Sequence, residues 1–163
     1  RGLGDVYKRH VYNHGAAFKI AADCMLKRAD TAYKTLKMIS YDNPKNPENG
    51  VEPYAVSNMY MGPENKYIAG YAPMSWITGT AGWLYRCVTE FMCGVKPTFD
   101  GLEVSPCLPA EWDGVTVKRI FRGETYEITY ERSDIKQLIC DGKPVKKLPL
   151  TGKGSVHNVI CKF

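Results

Sequence analysis

The hydrophobic period of this chain changes once, near Lys96-Pro97, and that change limits the folds open to it. Before it, apolar residues recur at helical spacing. In the segment Gly15 to Arg28, which follows Asn13, residues Phe18, Ile20, Ala21, Cys24 and Met25 fall mostly on one helical face, and Lys27 and Arg28 suit the negative end of a helix dipole. After a turn expected at Ala29-Asp30, Tyr33, Leu36 and Ile39 continue on a second stripe, so two antiparallel helices are predicted. A third helix carries the strongest pattern. Trp83, Leu84, Cys87, Val88, Phe91 and Met92 come as adjacent pairs every four residues, and Gly94 stands where a C′ glycine would end the helix. Beyond Pro97 the residues alternate instead. Thr125 to Glu131 puts Tyr126, Ile128 and Tyr130 on one face, and Val115 to Phe121 and Lys136 to Cys140 also favour strand. Asp100-Gly101, Asp113-Gly114 and Asp141-Gly142 fall between these runs, the last a hairpin signal. The prediction is an α + β chain: helices and loops over 1–95, then a small antiparallel β-sandwich over 96–163.

At 163 residues the chain can hold one compact domain or two small pieces, and is too short for a large enzyme. Its +5 net charge comes from 22 Lys/Arg against 17 Asp/Glu, dispersed and interleaved with acids, whereas a nucleic-acid binder gathers basic residues into a stripe. No nucleic-acid partner is expected. The six cysteines, Cys24, Cys87, Cys93, Cys107, Cys140 and Cys161, form no C-x-x-C pair and sit where small apolar residues pack, which fits reduced thiols. No apolar run reaches the ~18 residues of a membrane span, so no membrane partner and a cytoplasmic location are expected. The opening Arg1-Gly2-Leu3-Gly4 lacks an initiator Met and any targeting motif, and reads as a cut rather than a natural start.

From Tyr41 to Ser75 the helical pattern breaks at Pro44, Pro47, Pro53, Pro63 and Pro73, with only Tyr54 to Tyr60 able to form a short helix. A segment this long with little regular structure is more often a binding or lid loop than a linker. Within it, Glu52-Pro53-Tyr54 and Asn58-Met59-Tyr60 supply a carboxylate, an amide and aromatic faces. Acids and amides pair with sugar hydroxyls, and ring faces stack on a pyranose. The same residues also suit a structured loop whose tyrosines cover a hydrophobic rim.

The segment Trp76-Ile77-Thr78-Gly79-Thr80-Ala81-Gly82-Trp83 opens the third helix. Free N–H groups at a helix start attract anions, and glycine lets an anion approach the backbone, so Thr78-Gly79-Thr80 can seat a phosphate or sulfate. It can equally be a well-capped helix packed through small residues. His14, again before a helix, can meet an oxyanion or a sugar hydroxyl, or serve as a cap or packed side chain. With three histidines and neither H-x-x-x-H nor C-x-x-C spacing, no transition-metal site is predicted. Nor is there a pair of carboxylates for glycoside hydrolysis, a G-x-S-x-G elbow, a P-loop or a G-x-G-x-x-G motif.

Taken in order, the blocks Tyr12-Asn13-His14-Gly15-Ala16-Ala17-Phe18, Glu52-Pro53-Tyr54, Asn58-Met59-Tyr60, Ser75 to Trp83, Gly94-Val95-Lys96-Pro97, Asp100-Gly101-Leu102, and Pro106-Cys107-Leu108-Pro109 with Trp112 resemble the C-terminal end of glycoside hydrolase family 94, the inverting phosphorylases typified by cellobiose phosphorylase. The S-W-x-T-G-T-A block is the most specific of them. The resemblance implies that 1–95 are the last helices and loops of an (α/α) six-hairpin toroid that holds the active site, and that 96–163 are the C-terminal β-sandwich domain. It implies a reaction in which inorganic phosphate, as co-substrate and with no cofactor, attacks the anomeric carbon of a β-linked gluco-disaccharide or oligosaccharide and releases an α-sugar 1-phosphate.

By the same resemblance His14, Thr78 and Gly79 bind phosphate, and Asn58 takes the place of a sugar-contacting glutamine, with Glu52 and Tyr54 beside it as substrate contacts. Val6-Tyr7-Lys8-Arg9 stands where the cellobiose enzyme has a Lys-Glu pair, so the acceptor sugar differs, and Lys8 or Arg9 can meet an acidic one. No catalytic residue is expected in this chain, since the general acid, an aspartic acid, lies on an earlier toroid helix. The partners implied are the sugar, phosphate, the N-terminal remainder of the enzyme and a second copy in a homodimer. Two rival readings remain: a non-catalytic sugar-binding or scaffold module using Tyr126 or Tyr130, and a toroidal glycoside hydrolase with a second catalytic carboxylate upstream.

Overall fold

The computed structural model describes residues 10–40, 43, 50–52, 55–64, 66–72, 74–75 and 77–163. The chain divides into two compact units, Arg1–Cys87 and Val88–Phe163. No helix among the described residues is long and apolar enough to cross a membrane.

In the first unit, helix α1 (Asn13–Met25) buries Ala17, Ile20, Ala21 and Cys24, a stripe at three- and four-residue spacing. Helix α2 (Ala29–Ile39) packs against it through Ala32 and Ile39. Lys19 Nζ ties the two, donating to Asp23 Oδ2 (2.6 Å) and to Thr35 Oγ1 on α2 (2.9 Å). The turn between them falls at Leu26 to Arg28, earlier than the predicted Ala29-Asp30. There Lys27 takes a left-handed φ of +57°, and the Arg28 N–H bonds back to the Asp23 carbonyl (2.8 Å).

Strand β1 (His10–Tyr12) pairs antiparallel with β2 (Met59–Met61), matching Val11 with Tyr60 and Tyr12 with Met59. This replaces the short helix predicted from Tyr54 to Tyr60: residues 55–58 are not helical, and Tyr54 lies outside the described residues. The reason is burial. Tyr60 points into the unit and its hydroxyl reaches the Ile39 carbonyl at 3.5 Å, a position set by a strand partner distant in sequence. Helix α3 (Thr80–Arg86) runs into a π-helical segment, Cys87–Met92, whose wider turn replaces the continuous α-helix predicted there. The Cys93 N–H bonds to the carbonyl of Val88, five residues back. Gly94 then turns the chain with φ +71°, as expected of a C′ glycine, and a Cβ there would lie 2.1 Å from the Ser105 carbonyl oxygen.

The second unit is a small sandwich of two sheets. Strands β3 (Val95–Thr98), β4 (Gly101–Val104) and β9 (Leu148–Pro149) form one, in the order β3-β4-β9. Strands β5 (Thr116–Phe121), β6 (Glu124–Glu131), β7 (Gln137–Cys140), β8 (Lys143–Val145) and β10 (Val156–Lys162) form the other, in the order β5-β6-β10-β7-β8. Val95, Leu102 and Leu148 from the small sheet meet Tyr126, Ile128, Tyr130, Val159 and Cys161 from the large one in a single core. The sandwich departs from the predicted all-antiparallel sheet in one pairing, β6 with β10, which is parallel because β10 inserts between β6 and β7.

The Asp141-Gly142 turn is as the sequence predicts, with positive φ at both residues (+49° and +77°), and it joins β7 to β8 directly. Tyr126 and Tyr130 are core residues, 0% and 3% exposed, their hydroxyls spent on the carbonyls of Pro149 and Cys93 (2.7 Å each). Neither can stack on a glycan, which removes the contacts that the rival sugar-binding reading required. All six cysteines are buried thiols.

Candidate functional site

The first turn of α1 is anchored by a residue that the sequence casts as flanking it. Asn13 is the first helical residue and fully buried; its amide donates to the Ser57 carbonyl (3.1 Å) and Oγ (2.7 Å) instead of capping the helix. Its backbone N–H donates to the Asn58 carbonyl (2.9 Å), and the Asn58 N–H donates to the Met74 carbonyl (2.8 Å). The start of α1, the segment before β2 and the approach to α3 are thus tied in series. That tie brings together residues that lie far apart in sequence.

His14 and Gly79 meet there. A Cβ placed on Gly79 would lie 3.0 Å from His14 Cε1 and 3.3 Å from Nε2, so the imidazole edge occupies the space that glycine leaves open. His14 Nδ1 lies 3.4 Å from the Tyr12 hydroxyl, while Nε2 is buried with no hydrogen-bond partner among the described residues. A buried polar nitrogen without a partner is costly and calls for a ligand or an explanation. Phe18 packs on the imidazole with ring centroids 4.7 Å apart, and Trp83 meets Phe18 edge-on at 4.6 Å. The Arg86 guanidinium lies 4.8 Å from the Trp83 ring, a cation–π contact.

Gly79 is the N-cap of α3 and offers no side chain, so the hydroxyl beside the helix start comes from Thr78, one residue earlier. Its Oγ1 accepts the Thr80 N–H at 3.1 Å and shares a 2.6 Å hydrogen bond with the Thr80 hydroxyl. Asn58 takes part through its backbone. Glu52 is exposed, and its carbonyl closes a turn with the Ala55 N–H (3.0 Å). Tyr54, Trp76, Lys8 and Arg9 lie outside the described residues. A cavity of about 850 Å³ in the same unit is lined by residues including Lys19, Lys34, Met38, Ile39 and Tyr60, and by none of the predicted site residues. Sequence reasoning missed the wall around His14, namely Tyr12, Phe18 and Trp83, although Tyr12 and Phe18 flank it within one helical turn.

The second unit holds another histidine cluster. His157 Nδ1 is 2.7 Å from Asp141 Oδ2, and its Nε2 is 3.1 Å from Glu124 Oε2 and 3.0 Å from Thr151 Oγ1. Burial would raise the Glu124 carboxyl, but the N–H groups of Thr151 and Gly152, with His157 and the Thr151 hydroxyl, bring it down to about 2. The hydrogen bond to Asp141 raises His157 against the opposing effect of burial, and Glu124 adds to the rise. Cys140, Asp141 and His157 offer three donor atoms within 4.8 Å of one another. They could hold a metal ion only by giving up these bonds, and burial first and Asp141 second push the Cys140 thiol up to about 11, away from the thiolate that a metal needs. The cluster reads as a structural ion-pair network.

Comparison with known proteins gives this geometry a context. The profile described as the catalytic domain of the glycosyl hydrolase 94 superfamily matches residues 7–94, more than half of the chain. The chain is 41% identical over 157 residues to a solabiose phosphorylase of Paenibacillus borealis, covering 91% of this chain and 20% of the relative. It is 33% identical over 161 residues to an N,N'-diacetylchitobiose phosphorylase of Vibrio proteolyticus, with 92% and 20% covered. It is 37% identical over 120 residues to a 3-O-beta-D-glucopyranosyl-beta-D-glucuronide phosphorylase of Paenibacillus borealis, with 72% and 16% covered. The chain therefore spans about a fifth or less of the length of these relatives. The residues around His14 and Gly79 fall inside the matched region, and the chain belongs to the glycosyl hydrolase 94 superfamily.

Proposed function

We propose that this chain is the C-terminal part of an inverting glycoside phosphorylase that cleaves a β-linked gluco-disaccharide or oligosaccharide with inorganic phosphate. Residues 1–95 are the closing helices and loops of an (α/α) toroid, and 96–163 its C-terminal β-sandwich domain. The observation that carries the reading is His14 Nε2, buried, without a partner among the described residues, and set against a glycine. A ring N–H there donates to a phosphate oxygen, and Gly79, lacking a side chain, lets the imidazole edge sit close to the backbone that opens α3. Thr78 adds a hydroxyl next to the same backbone. The three relatives described above are phosphorylases, which supports the class.

In the reaction a phosphate oxygen attacks the anomeric carbon from the face opposite the leaving sugar. An aspartic acid outside this chain protonates the departing glycosidic oxygen as the C–O bond breaks, and the product is an α-sugar 1-phosphate. His14, Thr78 and Gly79 hold the nucleophile and spread its charge, while Asn58, Glu52 and Tyr54 serve the sugar. The enzyme acts as a cytoplasmic homodimer without a further cofactor. In the complete enzyme, His14→Ala or Thr78→Ala raises the phosphate KM and slows phosphorolysis. Unchanged phosphate kinetics in both variants, or cleavage that proceeds without phosphate, overturns the reading.

A further inference from the structure

We infer that Tyr12 is a positioning residue for His14, holding the ring at Nδ1 and keeping a proton on Nε2. The inference rests on the phosphate reading above and adds to it a residue that acts through the histidine. Three observations carry it. The Tyr12 hydroxyl lies 3.4 Å from His14 Nδ1. The other nitrogen, Nε2, is buried, has no hydrogen-bond partner among the described residues, and borders the position a Gly79 Cβ would take. The Tyr12 backbone is held on both sides, by the pairing of β1 with β2 opposite Met59 and by the bonds of Asn13 to Ser57 and Asn58. Its ring rests over the first turn of α1, with Cδ1 3.4 Å from where a Gly15 Cβ would be.

The chemistry follows from which groups can donate. A neutral imidazole carries one proton and can place it on either nitrogen. A phenol is a better donor than acceptor, and the bare sp² nitrogen of imidazole is a good acceptor. Tyr12 O–H donating to Nδ1 therefore favours the tautomer with its proton on Nε2, where an anion needs a donor. When the ring is protonated, the phenol oxygen accepts the Nδ1–H instead, and Nε2–H remains a donor. Without the hydroxyl, a larger share of the neutral ring carries its proton on Nδ1 and presents a bare lone pair to the phosphate, which repels it. Turning the ring over about its Cβ–Cγ bond takes Nδ1 away from the hydroxyl, so the hydroxyl opposes that as well.

The test is steady-state kinetics of the complete enzyme with inorganic phosphate as the varied substrate, comparing wild type, Tyr12→Phe, Tyr12→Leu and His14→Ala. Tyr12 is 51% exposed, and Tyr12→Phe keeps the ring, so the thermal midpoint should stay that of wild type. Tyr12→Phe is expected to raise the phosphate KM by about 3- to 10-fold, the size of one uncharged hydrogen bond, with kcat within about twofold and the sugar KM unchanged. Tyr12→Leu should do no more than Tyr12→Phe. If His14→Ala raises the phosphate KM while Tyr12→Phe leaves it at the wild-type value, the positioning role is wrong and the phosphate reading stands. An effect in Tyr12→Leu alone assigns Tyr12 to packing and also overturns it. Normal phosphate kinetics in His14→Ala removes the phosphate reading, and this inference with it.

Discussion

Each unit contains a buried histidine environment, and the two are built in opposite ways. His157 has both ring nitrogens within hydrogen-bond distance of carboxylates, with a threonine hydroxyl besides, and is 5% exposed. His14 has one long contact to a phenol and a second, buried nitrogen with no hydrogen-bond partner among the described residues. A polar group satisfied on every side rigidifies its surroundings, and one left waiting keeps its bonding capacity for something that arrives. Substitution should therefore separate the two sites: His157 should matter to stability and His14 to binding.

The largest expected effect comes from breaking the satisfied network. His157→Ala removes the buried ring partner of Glu124, which keeps its Thr151 and Gly152 N–H donors, and should destabilise the protein by about 1–3 kcal/mol, read as a lowered denaturant midpoint. His14→Ala should move that midpoint by less than about 1 kcal/mol, since the ring leaves behind no buried unpaired charge. Equal losses of stability in the two variants would erase the contrast. Next in size is Gly79→Ala. Its backbone conformation, φ −84° and ψ 2°, suits any residue, so the fold should persist, but the new methyl crowds the His14 ring edge. The expected outcome in the complete enzyme is a phosphate KM raised about tenfold or more at unchanged thermal midpoint.

A third effect is in the pH dependence of stability, and its sign follows from the two shifts. The His157 pKa is raised, so its contribution is full below the ordinary histidine value near 6.5 and is lost as pH climbs through the raised folded value. The Glu124 pKa is lowered to about 2, so its contribution is full above the ordinary 4.5 and is lost as pH falls toward 2. Thermal midpoints scanned across pH should peak between roughly 4.5 and 6.5 and decline on both sides. In His157→Ala the alkaline decline should disappear. The smallest effect is that of Asp141→Asn, in which a half-exposed partner is lost and the left-handed turn position still suits the residue, for about 1 kcal/mol or less. The decline should then begin at lower pH, because His157 loses the partner that raises it most.

How far these arrangements can be read from sequence depends on whether their cause is local. Gly94 and Asp141-Gly142 are legible because a left-handed backbone selects residues at the position itself. The alternation of Tyr126, Ile128 and Tyr130 is legible for a similar reason, since the strand's own pleat decides which face is buried. Arg122-Gly123 makes the same kind of turn between β5 and β6, with φ +50° and +83°, and it escapes notice because arginine is an uncommon first turn residue. The β1–β2 pairing, the parallel match of β6 with β10 and the bond from Asn13 to Ser57 all depend on partners tens of residues away. No periodicity encodes them.

The candidate site follows the same rule. The hydroxyls and glycine of Thr78-Gly79-Thr80 are visible locally as a helix start, whereas the contact of Gly79 with His14 depends on long-range packing, through Phe18 on Trp83 and the links of Asn58 to Asn13 and Met74. Tyr12 is only two residues from His14 in sequence. What joins them is the change from strand to helix at Asn13, which folds the phenol back over the first turn, and spacing alone does not display that geometry.

The insertion of β10 between β6 and β7 also bears on the order in which the protein can be made. A ribosome delivers β6 and β7 before residues 156–162, so the middle of the large sheet is missing while its flanking strands are already in solution. During that interval β6 has one unpaired edge, and Tyr126, Ile128 and Tyr130 lack part of their cover. Unpaired edges beside apolar faces invite association with other chains. The second unit must therefore close in one late step rather than strand by strand, and its yield in a cell will depend on how quickly the segment from Val156 to Lys162 reaches its slot.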